Sequence, residues 1–209
     1  GFLILILLVP LSYIKSLINE RMYRQQEVVN EINQKWGKEV LLYGPILKIP
    51  YKTYHIKSIV KGKQIQKETI EEVNFAYFFP KELKVNSTIN PEEKKRGIYK
   101  TAVYKSTIDI SGSFTKPDFS ELDIKEKDIL WEKSRLIIET SNLKGVNNLV
   151  EIEFNKNNYA FTSKYTGSKN RNNYPMSDYI SLHKLESKFI KKADLPIKND
   201  IDFSLNVNI

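Results

Sequence analysis

Two histidines, His55 and His183, and two adjacent acid pairs, Glu71-Glu72 and Glu92-Glu93, are the side chains best suited to acid–base or metal chemistry in this 209-residue sequence. A catalytic acid and base must converge on one substrate within hydrogen-bond reach. Neighbouring residues on a strand point to opposite faces, so neither acid pair can act together if its segment is extended. The histidines lie in unrelated segments without ligand-type spacing, and read as surface or half-buried strand residues. The absence of cysteine removes disulfides, zinc–thiolate sites and thiol nucleophiles together. No glycine-rich phosphate loop, P-loop or nucleophile elbow occurs. The sequence therefore nominates no catalytic residue, no cofactor-binding residue and no metal ligand, and a non-enzymatic role is expected.

The net charge of +8 raises nucleic-acid binding as a function class. The lysines, however, are spread along the chain and alternate with apolar residues, as in Lys57-Ser58-Ile59-Val60-Lys61. That is the pattern of solvated strand faces. The densest cluster, Lys94-Lys95-Arg96, follows Glu92-Glu93 and is locally balanced. No nucleic-acid partner is expected, and attraction to anionic lipid headgroups stands between these two readings. Asn86-Ser87-Thr88 fits a glycosylation sequon by chance.

These residues must be positioned by a β-rich framework. Short apolar runs at Val40–Tyr43 and Pro45–Tyr51 are split by Gly44-Pro45, a turn or bulge signal. Tyr54–Val60 and Gln64–Ile70 around Lys61-Gly62-Lys63 read as a hairpin. Glu72–Phe79 is an aromatic-rich strand ended by Pro80, and its Phe75–Pro80 cluster is core or an interface near the membrane. Leu83–Ile89, Ile98–Ile110, Ser134–Thr140, Leu149–Phe154 and Ile201–Ile209 alternate as further strands. Asp118–Leu122 reads as a short capped helix or turn, Asn155–Asn158 as a turn, and Asn170–Pro175 as a polar loop. Ser181–Leu185 is ambiguous between helix and strand. The last strand lacks an obvious neighbour to complete its ladder, so the natural sequence is expected to continue. The fold class is mainly β with an N-terminal helix: an antiparallel sheet or β-sandwich, incomplete at the C-terminus.

The first residues differ in kind. Phe2–Leu11 is apolar on every face, and apolar positions continue to Leu17-Ile18. Crossing about 30 Å of hydrocarbon takes roughly 20 apolar residues; Ser12, Lys15 and Ser16 interrupt this run, and no methionine precedes Gly1, so upstream residues are expected to complete it. A signal-peptide cleavage site is lacking, since Leu11–Lys15 is bulky where small residues belong. Residues 1–18 therefore read as the end of a transmembrane helix, and 19–37 as an amphipathic stalk ended by Gly37. Glu20 and Arg24 have the spacing and order of a helical ion pair. Lys15, Arg21 and Arg24 on the exit side taken alone favour a cytoplasmic flank.

Several phrases occur in fixed order: Leu8-Val9-Pro10, Ile18-Asn19-Glu20-Arg21, Gly44-Pro45-Ile46-Leu47-Lys48-Ile49-Pro50-Tyr51, Phe79-Pro80-Lys81-Glu82-Leu83, Arg96-Gly97-Ile98-Tyr99 with Val103-Tyr104, Gly112-Ser113-Phe114, and Asn142-Leu143-Lys144-Gly145-Val146. Together they closely resemble the CreD family of bacterial inner-membrane proteins, also called cell envelope integrity proteins. The resemblance implies an amino-terminal membrane helix, an extracytoplasmic domain to which the β-rich residues 38–209 belong as a truncated part, and further membrane helices beyond this sequence. It implies a role in envelope integrity or stress response. The expected partners are the lipid bilayer, other envelope proteins and the protein's own C-terminal membrane helices, and the implied location is the inner membrane with a periplasmic domain. The implied outward exit leaves the basic flank at Lys15 and Arg21 as an exception to the positive-inside tendency. No catalytic residue is implied. An envelope enzyme or ligand-binding domain completed by the C-terminal half is the alternative.

Overall fold

Period-two patterning becomes strand almost throughout the computed structural model, which describes residues 2–36, 40–61, 64–141, 150–163 and 182–209. One helix, α1 (Phe2–Trp36), precedes nine strands: β1 (Leu42–Lys61), β2 (Gln64–Phe78), β3 (Glu82–Arg96), β4 (Tyr99–Phe114), β5 (Arg135–Thr140), β6 (Glu151–Phe154), β7 (Asn157–Ser163), β8 (His183–Ser187) and β9 (Ile201–Asn208). The strands form one continuous antiparallel sheet in the order β2-β1-β5-β8-β7-β6-β9-β4-β3. The mainly-β expectation therefore holds, with a single sheet as the form it takes. By contacts the chain divides into two compact units, Gly1–Glu39 with Ile89–Ser106, and Val40–Thr88 with Thr107–Ile209.

In the larger unit, Gly44-Pro45 does not separate two strands but sits inside β1 as a bulge, where the register with β5 shifts between Tyr43 and Ile46. Gly44 has φ of +116°, and a Cβ there would lie 2.7 Å from the Ile137 carbonyl, so only glycine fits. After the bulge Leu47, Ile49 and Tyr51 face the core, which they share with Leu136 and Ile138 of β5, Leu185 of β8 and Tyr159 and Phe161 of β7. Phe114 packs against Phe154 and Phe203 at ring separations of 5.8 and 5.3 Å. Phe119 and Trp131, from the connection between β4 and β5, meet edge-on and close the core near Tyr51 and Phe78.

Two local expectations are corrected and one open reading is resolved. Ile98 belongs to the turn with Gly97 that joins β3 and β4, so the strand begins at Tyr99. Ser181–Leu185 resolves to strand from His183 onward. The last strand does not lack neighbours: β9 pairs with β4 over Thr107–Phe114 and with β6 over Ile152–Phe154. Sequence separation hid both partners. Asn155 and Lys156 form the expected turn with φ of 51° and 63°, the mirror-image geometry of two-residue hairpins. Ser120 begins a single 3-10 turn, its N–H donating to Asp118 Oδ1 at 2.9 Å. Asn170–Pro175 and Asn142–Val146 lie outside the described residues.

The smaller unit joins α1 to the outer part of the β3–β4 hairpin. Val28 and Val29 are half-buried and Ile32 is buried, whereas α1 is exposed from Pro10 to Glu27. Glu31 pairs with Arg96, holding the guanidinium pKa above its ordinary value. Arg24 reaches Glu20 at 3.1 Å, as their spacing requires. Among the described residues no helix is long and apolar enough to cross a membrane.

A buried polar node ties the β6–β7 turn to residues 191–194. Tyr159 donates to Asp194 Oδ2 at 2.5 Å, Asn155 and Asn157 donate to Oδ1, and the Lys191 N–H donates to the Tyr159 hydroxyl. Burial first, then the hydrogen bond to Asp194, pushes the Tyr159 pKa up to about 12. The raised value means that the fold holds the proton more tightly than the unfolded chain. The node's full contribution is therefore present below pH about 10 and is lost as pH rises towards about 12. Tyr159→Phe should lower unfolding free energy by about 1–3 kcal/mol at neutral pH. In denaturant titrations across this alkaline window the variant should lose less stability than the parent; parallel losses would show that the hydroxyl does not titrate with folding. A second prediction concerns Gly112, where a Cβ would fall 2.0 Å from the Glu82 carbonyl. Gly112→Ala should release β3 from β4 near Glu82, seen as faster amide exchange there than at β5.

Candidate interaction surface

The residues that sequence reading considered for chemistry are dispersed. His55 is exposed on β1, 3.5 Å from Glu72. His183 opens β8 opposite Thr140, which in turn pairs with Leu42. His183 thus lies level with the start of β1 and His55 well along it, about 40 Å of strand apart at about 3.3 Å per residue. Glu71 pairs with Lys52 at 2.8 Å, and the Glu71 and Glu72 partners stand on opposite faces. Glu92 bonds Lys94 at 2.6 Å and Lys105 at 3.0 Å, which holds its pKa below the ordinary carboxylate value, while Glu93 pairs with Lys95 and Lys100. With Arg96 on Glu31, every member of the densest basic run has an acid partner.

A depression of about 390 Å³ beside the β4–β5 connection is lined by Asp118, Phe119, Asp123, Glu126 and Trp131, among others. Two of its acids hold the wall itself. Glu126 accepts the Trp131 indole N–H at 2.9 Å, and the Ser120 backbone N–H bonded to Asp118 keeps that carboxyl below its usual pKa. On the other side of Asp123, Tyr54 donates to Asp128 at 2.9 Å, which raises the phenol pKa. The Tyr54–Asp128 bond pins the connection to β1.

A different arrangement occupies the outer face of the sheet. Tyr77, Lys48 and Arg135 stand directly opposite one another on β2, β1 and β5, so their side chains project from the same face. Lys48 Nζ lies over the Phe75 ring at 3.9 Å, and the Arg135 guanidinium over the Phe189 ring at 4.0 Å. The result is a ring–cation–cation–ring row across three strands. Opposed like charges cost about 0.2–1 kcal/mol, and here one buried acid offsets them. Glu186 of β8, with its side chain 8% exposed, is 3.6 Å from Lys48, 3.7 Å from Arg135 and 3.6 Å from Lys184. At those distances the three cations hold Glu186 by charge rather than by short hydrogen bonds. Arg135 also donates to the Ser187 carbonyl at 3.3 Å.

The same face carries exposed rings. Phe75 and Tyr77 are 46% and 49% exposed, while the alternate residues Ala76 and Phe78 turn to the core, and Phe79 just beyond the strand is 70% exposed. The sequence marked this aromatic cluster as core or interface, and the strand divides it into core and exposed surface. Sequence reading missed Lys48, Arg135, Lys184 and Glu186 as a group. The only local signal was Lys48 out of phase with Leu47 and Ile49.

Comparison with known proteins agrees with the phrases read from the sequence. The family model described as inner membrane protein CreD matches residues 1–209. The inner membrane protein CreD of Escherichia coli (strain K12) is 27% identical over 144 residues, covering 68% of this chain. That match spans 30% of the relative's own length. No solved structure matches the chain. With a family match running from one end of the sequence to the other, the chain belongs to the CreD family of inner membrane proteins.

Proposed function

We propose that this chain is the membrane-proximal part of a non-enzymatic envelope scaffold, with α1 as the C-terminal end of a membrane span and the sheet on the extracytoplasmic side. The observation that carries the reading is the pair of open sheet edges. β2 and β3 end the strand order, and among the described residues each has a single neighbour. β3 is exposed on both faces along Glu82–Pro91, with Leu83, Val85 and Ile89 on one side. Long unpaired edges are ready templates for another chain's strand. The packed interior of the larger unit supports the same reading, because its aromatic side chains fill the core rather than line a deep cavity.

The helix adds support for the anchor. Leu11, Ile14, Ile18 and Met22 follow one another at three- and four-residue spacing and are all at least half exposed. Such a stripe is stable against lipid or another apolar helix rather than water. Support of envelope integrity or stress response follows the family setting. The ligand-binding alternative has one observation in its favour, the depression beside Phe119 and Trp131.

Topology can be tested with a single reporter, because the chain contains no cysteine. Ser58→Cys, on an exposed stretch of β1, should react with a membrane-impermeant maleimide in intact cells whose outer membrane has been made permeable. Reaction only after inner-membrane lysis would overturn the extracytoplasmic placement. A photoreactive side chain at Val85 should then give discrete crosslinks to envelope proteins in the same cells. Crosslinks absent at Val85 in a correctly placed protein would remove the scaffold reading and leave the ligand-binding one.

A further inference from the structure

We propose that the ring–cation face of β2, β1, β5 and β8 docks on the anionic phospholipid headgroups of the bilayer, as a membrane contact separate from α1. Three observations point there. Phe75 and Tyr77 present their rings on the face of the sheet, perpendicular to the edge where a partner strand would pair. Aromatic rings of this kind settle at the headgroup level, one side apolar and one side wet. The cations beside them are already laid against rings, Lys48 on Phe75 and Arg135 on Phe189. That places an apolar stem and ring together with a charged head at one depth, which is how lysine and arginine sit at an interface.

Charge complementarity selects lipid phosphate as the occupant. Lys48, Arg135 and Lys184 converge on Glu186, and Glu139, which lies opposite Lys184, is the other acid of this face near them. Among the described residues of this cluster three cations stand against two acids, and Glu186 is more deeply buried than the cations around it. Beside them Lys52 is paired with Glu71 and also lies near Asp128, so that neighbour adds no further positive charge. The chain as a whole carries +8, and membership of an inner membrane family keeps a bilayer within reach. The inference is independent of which side of the membrane the sheet occupies, so the topology test and this one can fail separately.

The test uses the full chain in nanodiscs of phosphatidylcholine with or without phosphatidylglycerol. A spin label at Tyr77→Cys is compared with one at Ser204→Cys, exposed on β9. With phosphatidylglycerol, lipid-soluble oxygen should relax the Tyr77 label several-fold more strongly, relative to a water-soluble nickel chelate, than it relaxes the Ser204 label. Arg135→Gln in the labelled background should abolish the phosphatidylglycerol dependence while leaving the unfolding transition cooperative. Water-like accessibility at Tyr77 overturns the proposal. So does shielding from both relaxants, which would assign the face to a protein neighbour. Equal behaviour in the two lipids also overturns it, because the cations would then select nothing.

Discussion

The larger unit depends on the phase of β1, and one bulge sets that phase. Between Tyr43 and Ile46 two residues of β1 oppose one of β5, so the alternation reverses across Gly44-Pro45. Ahead of the bulge Leu42 packs against the core and Tyr43 faces out; beyond it Leu47, Ile49 and Tyr51 face in. Without the extra residue, Lys48 would point into the core and Leu47 to solvent. A one-residue slip exchanges every side chain between faces. The same bulge therefore builds both the packed interior and the outer row of Tyr77, Lys48 and Arg135. Because among the described residues β2 is registered only on β1, the exposure of Phe75 and Tyr77 follows from it as well.

Much of this framework could be read locally. Alternation in β3, β4, β5, β6 and β9 and the first hairpin are properties of consecutive residues, and consecutive residues are what a sequence displays. The bulge was half legible, since Gly-Pro within an apolar run marks either a turn or a bulge, and only the pairing with β5 decides between them. The neighbours of β9 were not legible, because β4 lies about ninety residues earlier and β6 about fifty. The 3-10 turn at Ser120 was visible through Asp118, a local side-chain acceptor.

The outer ion cluster was illegible for the same reason. Its members come from β1, β5 and β8, and nothing near Lys48 announces Arg135 or Glu186. What the sequence did disclose was how the other charges are neutralised. In the β3–β4 hairpin, acids two residues before lysines share their face, so Glu92 meets Lys94 and Glu93 meets Lys95. These contacts form within one strand, and they turn the most basic stretch of the chain into balanced surface. The contrast gives the β1–β5–β8 cluster its interest, because there strand order brings three cations to one acid instead of pairing them off.

That imbalance needs a physical reason, since a sheet selected for stability alone would not oppose Lys48 to Arg135. Two neighbouring cations repel, and the carboxylate that offsets the repulsion must itself be desolvated. Replacing Arg135 by a neutral residue would leave Glu186 with two cations. Replacing Glu186 would leave Lys48 and Arg135 without the acid they share. The carboxylate is thus the element the fold cannot spare, and the cations are the element the fold carries in excess. Local departures of this kind, where charge is arranged against stability, concentrate where a protein meets something outside itself. On this face the departure coincides with a row of exposed rings, and both follow from the phase that Gly44-Pro45 imposes on β1.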